Sequence, residues 1–255
     1  MSDDPVLTER RDGVLLITLN RPQARNAVNS ALAHGVAAAL DALDGDDELK
    51  VGVLTGAGGS FCAGMDLKAF VAGERPFVEG RGFAGIAQRS SRKPLIAAIE
   101  GYALAGGLEV ALSCDVIVAA NDARLGIPEA KRGLIAAAGA LIRLPRRVPY
   151  HLAMELALTG DPIGAERAHA VGLVNRLAEP GGAVDAALEL AAAISRNGPL
   201  AVDASKQIIR SAQDWTEEQA WREQGELAGR IMASEDAREG ATAFAEKREP
   251  VWTGR

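Results

Sequence analysis

The stretch Ala105-Gly106-Gly107-Leu108-Glu109 carries residue types from which a chemical site can be built. It lies between two apolar runs, Pro94 to Ile99 and Asp115 to Ala120, that read as strands. Two glycines leading into Val110, Ala111 and Leu112 place free backbone N–H groups at the start of a helix, and the missing Cβ atoms let a ligand approach the main chain closely. N–H groups placed in this way can hold an oxyanion. A carboxylate three residues after Gly106 then sits one helical turn further in, near whatever those groups bind. The same glycine pair also suits plain tight packing between strand and helix, so the rest of the chain has to decide.

The elements that must position this turn follow from apolar periodicity. Val6 to Arg10 and Val14 to Leu19 read as a hairpin around Arg11-Asp12-Gly13. Ser30 is a candidate cap for a helix from Ala31 to about Leu43, with Leu32, Val36, Leu40 and Leu43 at helical spacing. Val51 to Thr55 reads as a buried strand. The Gly56-Ala57-Gly58-Gly59 that follows lacks the Gly-Lys-Ser/Thr of a phosphate loop and is a turn. Ala72 to Gly82, rich in Gly, Pro and charge, reads as a mobile surface loop. Val171 to Leu177 is a further strand candidate, so strands and helices alternate to about residue 195, which predicts an α/β fold. Beyond Ala183 the pattern is helical: Ala183 to Ser195, Pro199 to Ala212, Thr216 to Met232 and Asp236 to Glu246. Trp215, Trp221 and Trp252 fall in this tail, where they suit a packed seam or a subunit interface as well as ordinary core positions.

Composition removes several classes of function. At 255 residues and 48% hydrophobic content the chain can bury a large core. A net charge of −6 with no basic stripe argues against a nucleic-acid surface. Cys62 and Cys114 form no Cys-x-x-Cys pair, and His34, His151 and His169 are far apart, so no metal site is expected. The cysteines read as core residues and the histidines as packing or surface residues. The start, Met1-Ser2-Asp3-Asp4-Pro5, lacks the features of a signal peptide, and there is no apolar run of roughly 18 residues to span a bilayer. A cytoplasmic protein is expected.

Three stretches taken together are specific: Phe61-Cys62-Ala63-Gly64-Met65-Asp66-Leu67, Gly101 to Glu109, and Gly126-Ile127-Pro128-Glu129 leading to Gly133-Leu134. Their order and spacing resemble the enoyl-CoA hydratase/isomerase (crotonase) superfamily. The resemblance continues through Arg143-Leu144-Pro145-Arg146, Leu158-Thr159-Gly160, Ala165 to Ala168 with Gly172-Leu173-Val174, and Phe244 to Arg248. It implies a crotonase-like spiral of ββα units, here 1–195 as the acyl-CoA-binding catalytic core, and a C-terminal helical trimerisation region at 196–255. Trimers of this family are commonly paired into hexamers.

The resemblance also implies site residues. Met65 and Gly106 would supply the two N–H donors of an oxyanion hole for a thioester oxygen. Glu109 and Glu129 match the two carboxylates used by the hydratases. Two close carboxyls disfavour double ionisation, so one retains a proton near neutral pH. Coenzyme A would be held by backbone around Ala24 and Arg25, by Ala63 and Asp66, Leu67 and Lys68, and by Lys247 from a neighbouring subunit. No cofactor is implied beyond the CoA of the substrate. The pair of glutamates favours a hydratase over an isomerase. Ile135-Ala136-Ala137-Ala138-Gly139-Ala140, where many relatives have Pro-Gly-x-Gly-Gly, and Ala105 in place of a frequent glycine point to a different acyl pocket wall. An isomerase, a specialised dehydratase of the carnitinyl-CoA kind and a non-catalytic acyl-CoA binder are the alternatives.

Overall fold

The computed structural model describes residues 4–255, so Met1, Ser2 and Asp3 of the acidic start lie outside the described residues. Strands β1 (Val6–Arg11) and β2 (Val14–Leu19) form the expected hairpin, with Gly13 at φ +79° in its turn. Helix α1 (Ser30–Gly45) follows, capped by Asn29 rather than Ser30: the Asn29 side chain accepts the Leu32 N–H at 3.1 Å. The Ser30 N–H instead donates to Glu74 at 3.1 Å. Strand β3 (Val51–Gly56), the short helix α2 (Leu67–Val71) and the hairpin of β4 (Phe77–Val78) and β5 (Gly82–Phe83) come next. The segment expected as a loop from Ala72 to Gly82 therefore contains paired strands, anchored where Phe77 meets Phe83 edge-on at 5.7 Å.

Strands β6 (Leu95–Ile99) and β7 (Tyr102–Leu104) lead into α3 (Gly106–Ala111), then β8 (Val116–Ala120) and β9 (Arg124–Gly126). A 3-10 turn at Pro128–Arg132 precedes α4 (Ala140–Arg143), α5 (Tyr150–Thr159), β10 (Ile163–Gly164) and α6 (Ala165–Ala170). Strand β11 covers only Arg176–Ala178, not the expected Val171 to Leu177. The reason lies in the backbone. The N–H groups of Val171, Leu173 and Val174 turn back to carbonyls of α6, so their apolar side chains enter the core without joining a sheet. Helices α7 (Ala183–Ser195), α8 (Pro199–Ser211), α9 (Glu217–Met232) and α10 (Glu235–Glu246) complete the chain.

The main sheet has the order β1-β2-β3-β6-β8-β11 and is parallel apart from the β1–β2 pair. Alternation along its strands separates two cores. Leu15, Ile17 and Leu19 of β2 face the larger core with α1 and α3, whereas Val14 and Leu16 face α7. Helix α7 meets that face through Ala183, Ala187 and Ala191, a small-residue stripe at four-residue spacing that lets the helix lie close to the sheet. A second sheet, β10-β9-β7, stands at the end where α3 begins.

The tail is attached by specific polar contacts. Lys206 of α8 pairs with Asp115 at 2.6 Å, and Arg92 pairs with Asp203. The buried Asp236 carboxylate accepts the N–H groups of Thr253 and Gly254. Two of the tryptophans differ in their surroundings within one chain. Trp252 donates its indole N–H to the Arg196 carbonyl at 2.8 Å and covers Gly198 and Gly240, whereas Trp221 on α9 is 67% exposed.

Candidate active site

Two main-chain turns meet at the centre of the molecule. The first is Ala63-Gly64-Met65. Asn26, fully buried at φ +55°, fixes the loop that leads into this turn: its amide donates to the carbonyls of Ala57 at 2.9 Å and Ser60 at 2.6 Å, while its Oδ1 accepts the Arg21 N–H. Val28 then donates to Gly64 O and accepts from Asp66 N, which turns the Met65 N–H away from that pairing. The second turn is Leu104-Ala105-Gly106. Gly64, at φ +99°, lies so close to it that a Cβ would stand 2.8 Å from the Ala105 Cβ and 3.1 Å from the Gly106 nitrogen.

Both glycines of the second turn are required by close approach. A Cβ on Gly107 would come within 2.0 Å of the Cys62 carbonyl oxygen, and one on Gly106 would meet the Phe83 ring at 2.6 Å. Ala105 adopts φ +54° and ψ −129°, a conformation natural to glycine and strained for alanine. Among the described residues neither Met65 N–H nor Gly106 N–H has a hydrogen-bond acceptor. Helix α3 is only six residues long, so its macrodipole is small and the aimed N–H groups themselves supply the electrostatics.

Glu109, on α3, and Glu129, on the 3-10 turn, line the same cavity of about 320 Å³, together with Met65, Ala105 and Gly106. Glu109 is 3% exposed, and its Oε1 accepts the Ala140 N–H at 3.1 Å. Burial raises its pKa, and the N–H groups of Ala140, Ala138 and Gly139 and the charge of Arg143 oppose that rise. Glu129 is half-buried, with Oε2 out of contact with solvent and unbonded among the described residues. Burial, with a contribution from Glu109, pushes its carboxyl up to about 7. Burial thus raises the proton affinity of both carboxyls on this cavity, and at Glu109 main-chain N–H groups oppose the rise.

Of the other residues expected at the site, Arg25, Ala63 and Leu67 line this cavity. Ala24 lies in the adjoining 3-10 turn Pro22–Ala24, and Lys68 in the first turn of α2. The Asp66 carboxylate caps α2 by accepting the N–H groups of Lys68 and Ala69, and it pairs with Arg21 at 3.0 Å. Lys247 ends α10 at φ +54°, away from the cavity within one chain. The cysteines are buried as expected, and burial pushes the Cys62 thiol up to about 12. Sequence reasoning missed Asn26, Phe83 and Arg132. A buried-side asparagine after a 3-10 turn is a recognisable left-handed signal, whereas the approach of Phe83 and of Arg132 to the cavity depends on tertiary packing.

This arrangement of turns and carboxyls, on this fold, defines the class. The chain belongs to the enoyl-CoA hydratase/isomerase family, whose model matches residues 9–255, and its fold is that of the crotonase superfamily. It is similar to the enoyl-CoA hydratase EchA1 of Mycobacterium marinum, 59% identical with a TM-score of 0.97 over 99% of this chain and 100% of that one. It is 43% identical to the enoyl-CoA hydratase EchA19 of Mycobacterium tuberculosis, across 100% of this chain and 98% of that protein. The carnitinyl-CoA dehydratase of Escherichia coli strain K12 is 42% identical over the full length of both.

Proposed function

We propose that this chain is an enoyl-CoA hydratase, adding water reversibly to a 2-enoyl-CoA thioester to give the 3-hydroxyacyl-CoA. The observation that carries this reading is the convergence of two unbonded backbone N–H groups and two carboxyls on one cavity. In the proposed reaction the thioester oxygen accepts hydrogen bonds from Met65 and Gly106. Ionised Glu109 takes a proton from water as the water oxygen bonds to Cβ, and the electron pair of the double bond moves toward the thioester oxygen. Protonated Glu129 then delivers its proton to Cα, and proton exchange restores the starting pair. An oxyanion donor of this kind is typically worth about 3 to 4 kcal/mol in the transition state.

The CoA moiety is proposed to lie along Ala24, Arg25, Ala63, Asp66, Leu67 and Lys68, with Lys247 reaching it from a neighbouring subunit. That contact needs a homotrimer or a dimer of trimers, formed by the 196–255 region on a 1–195 core. Exposed Trp221, Met232 and Phe244 of α9 and α10 support such an interface, and light scattering measures it. A cytoplasmic location and the absence of any cofactor beyond CoA belong to the same proposal.

Dehydration of a carnitinyl-CoA is the second reading, supported by the 42% identity to such an enzyme. Phe77 and Phe83 line the cavity as aromatic groups suited to a quaternary ammonium, but Arg25 and Arg132 in the same cavity repel it. The test is conversion of crotonyl-CoA in oxygen-18 water. A 3-hydroxyacyl product carrying one solvent oxygen supports hydration. Turnover of carnitinyl-CoA alone would favour the second reading, and binding without any turnover would remove both.

A further inference from the structure

Behind the residues that line the cavity beside Glu109 lies a side chain that does not itself line it yet joins three segments around it. Arg143, half-buried at the end of α4, donates from Nη1 to the Ser113 hydroxyl at 3.1 Å and to the Ala138 carbonyl at 3.4 Å. Its Nη2 donates to the Ala87 carbonyl. Ser113 in turn donates to the Glu109 carbonyl at 2.8 Å, one turn along from α3. The guanidinium thus connects the backbone of Glu109, the segment before β6 and the turn that ends in Ala140. That turn is the one whose Ala140 N–H reaches the Glu109 carboxylate.

The turn is shaped around the arginine. Gly139 has φ +115°, and a Cβ there would stand 2.5 Å from Arg143 Nη1. A planar fork of donors can satisfy carbonyl and hydroxyl acceptors in several directions at once, which an ammonium cannot. Ala136 to Ala140 has no polar side chain of its own to hold its conformation; two polar side chains reach its backbone, Arg143 at the Ala138 carbonyl and Glu109 at the Ala140 N–H.

We propose that Arg143 is a positioning residue for the proposed base: it holds the Ala138–Ala140 turn so that main-chain N–H groups are aimed at the Glu109 carboxylate and keep it ionised in a buried site. This rests on the reading of Glu109 as the group that deprotonates water. The charged groups around Glu109 are Glu129, Arg25 and Arg132, which line the cavity, and Arg143 behind it. Arg147, Arg210 and the Cys114 thiol face Arg143 itself. Loss of Arg143 removes a nearby positive charge and loosens the N–H groups, and both changes favour protonated Glu109.

The test compares the pH dependence of kcat/KM for crotonyl-CoA hydration in the parent, Arg143→Met, Arg143→Lys, Ser113→Ala and Glu109→Gln, with folding checked by circular dichroism. Arg143→Met is expected to lower kcat on the order of 10- to 100-fold, as for a small misplacement of a reacting group, with KM little changed. Its acidic limb moves to higher pH. Arg143→Lys falls between it and the parent, and Ser113→Ala moves the limb the same way by less. If Arg143→Met does not fold, the limb of Arg143→Lys decides. A folded variant with the parent's acidic limb, while Glu109→Gln is inactive, overturns the positioning role alone. Full turnover in Glu109→Gln overturns both that role and the reading beneath it.

Discussion

Replacing Glu129 by Gln should move stability and activity in opposite directions. The Glu129 carboxyl rises from 4.5 to about 7 because burial penalises its charged form. At 1.36 kcal/mol for each tenfold change in proton affinity, ionising it in the folded protein costs about 3 kcal/mol as an upper bound. The residue is only half-buried, so solvent screening leaves on the order of 1 to 2 kcal/mol. The sign follows from proton binding. Between the unfolded and folded values the native state holds more protons than the unfolded state, so this group's contribution declines as pH rises through that window. Gln does not titrate. Urea unfolding should therefore find parent and Glu129→Gln similar near the unfolded carboxylate value, about pH 4.5, and the variant more stable by roughly 1 to 2 kcal/mol well above neutrality. Turnover of the same variant should fall by orders of magnitude. A pH-independent difference between the two proteins, or a variant less stable at alkaline pH, would refute the burial argument.

Three further outcomes are expected. For hydration, kcat/KM should fall as pH rises through about 7, where Glu129 loses its proton, and a pH–rate profile with no such limb would count against Glu129 as the acid. Gly107→Ala should cost about 2 kcal/mol or more, because its Cβ meets the Cys62 carbonyl at 2.0 Å, and thermal melting will show whether the turn can yield. Ala105→Gly should raise the denaturant midpoint by relieving a strained φ of +54°, a gain of about 1 kcal/mol, with turnover retained; a lower midpoint would show that the strain is negligible.

Sequence patterns located the frame of the site and left its fine support to the structure. The apolar runs of β3, β6 and β8 were legible because parallel strands buried on both faces carry continuous hydrophobic residues. Glu109 was legible because Gly106 and Gly107 mark the turn before it, whereas Glu129 emerged only from the family resemblance. What escaped was long-range. Phe83 reaches Gly106 across the fold, and Arg143 reaches Ala87 over 56 positions. The Asn29 cap and the short β11 were missed for a local reason: neighbouring Asn and Ser compete for one cap, and apolar residues at Leu173 and Val174 satisfy the core equally well from a turn.

The most direct measurement of the central claim is turnover of crotonyl-CoA, followed by loss of the conjugated thioester absorbance, in the parent, Glu109→Gln and Glu129→Gln at one pH near neutrality. Rapid loss in the parent, with both variants still binding the thioester but slowed by orders of magnitude, is the result expected if the two carboxyls share the addition of water. Turnover near the parent's in either variant would contradict it.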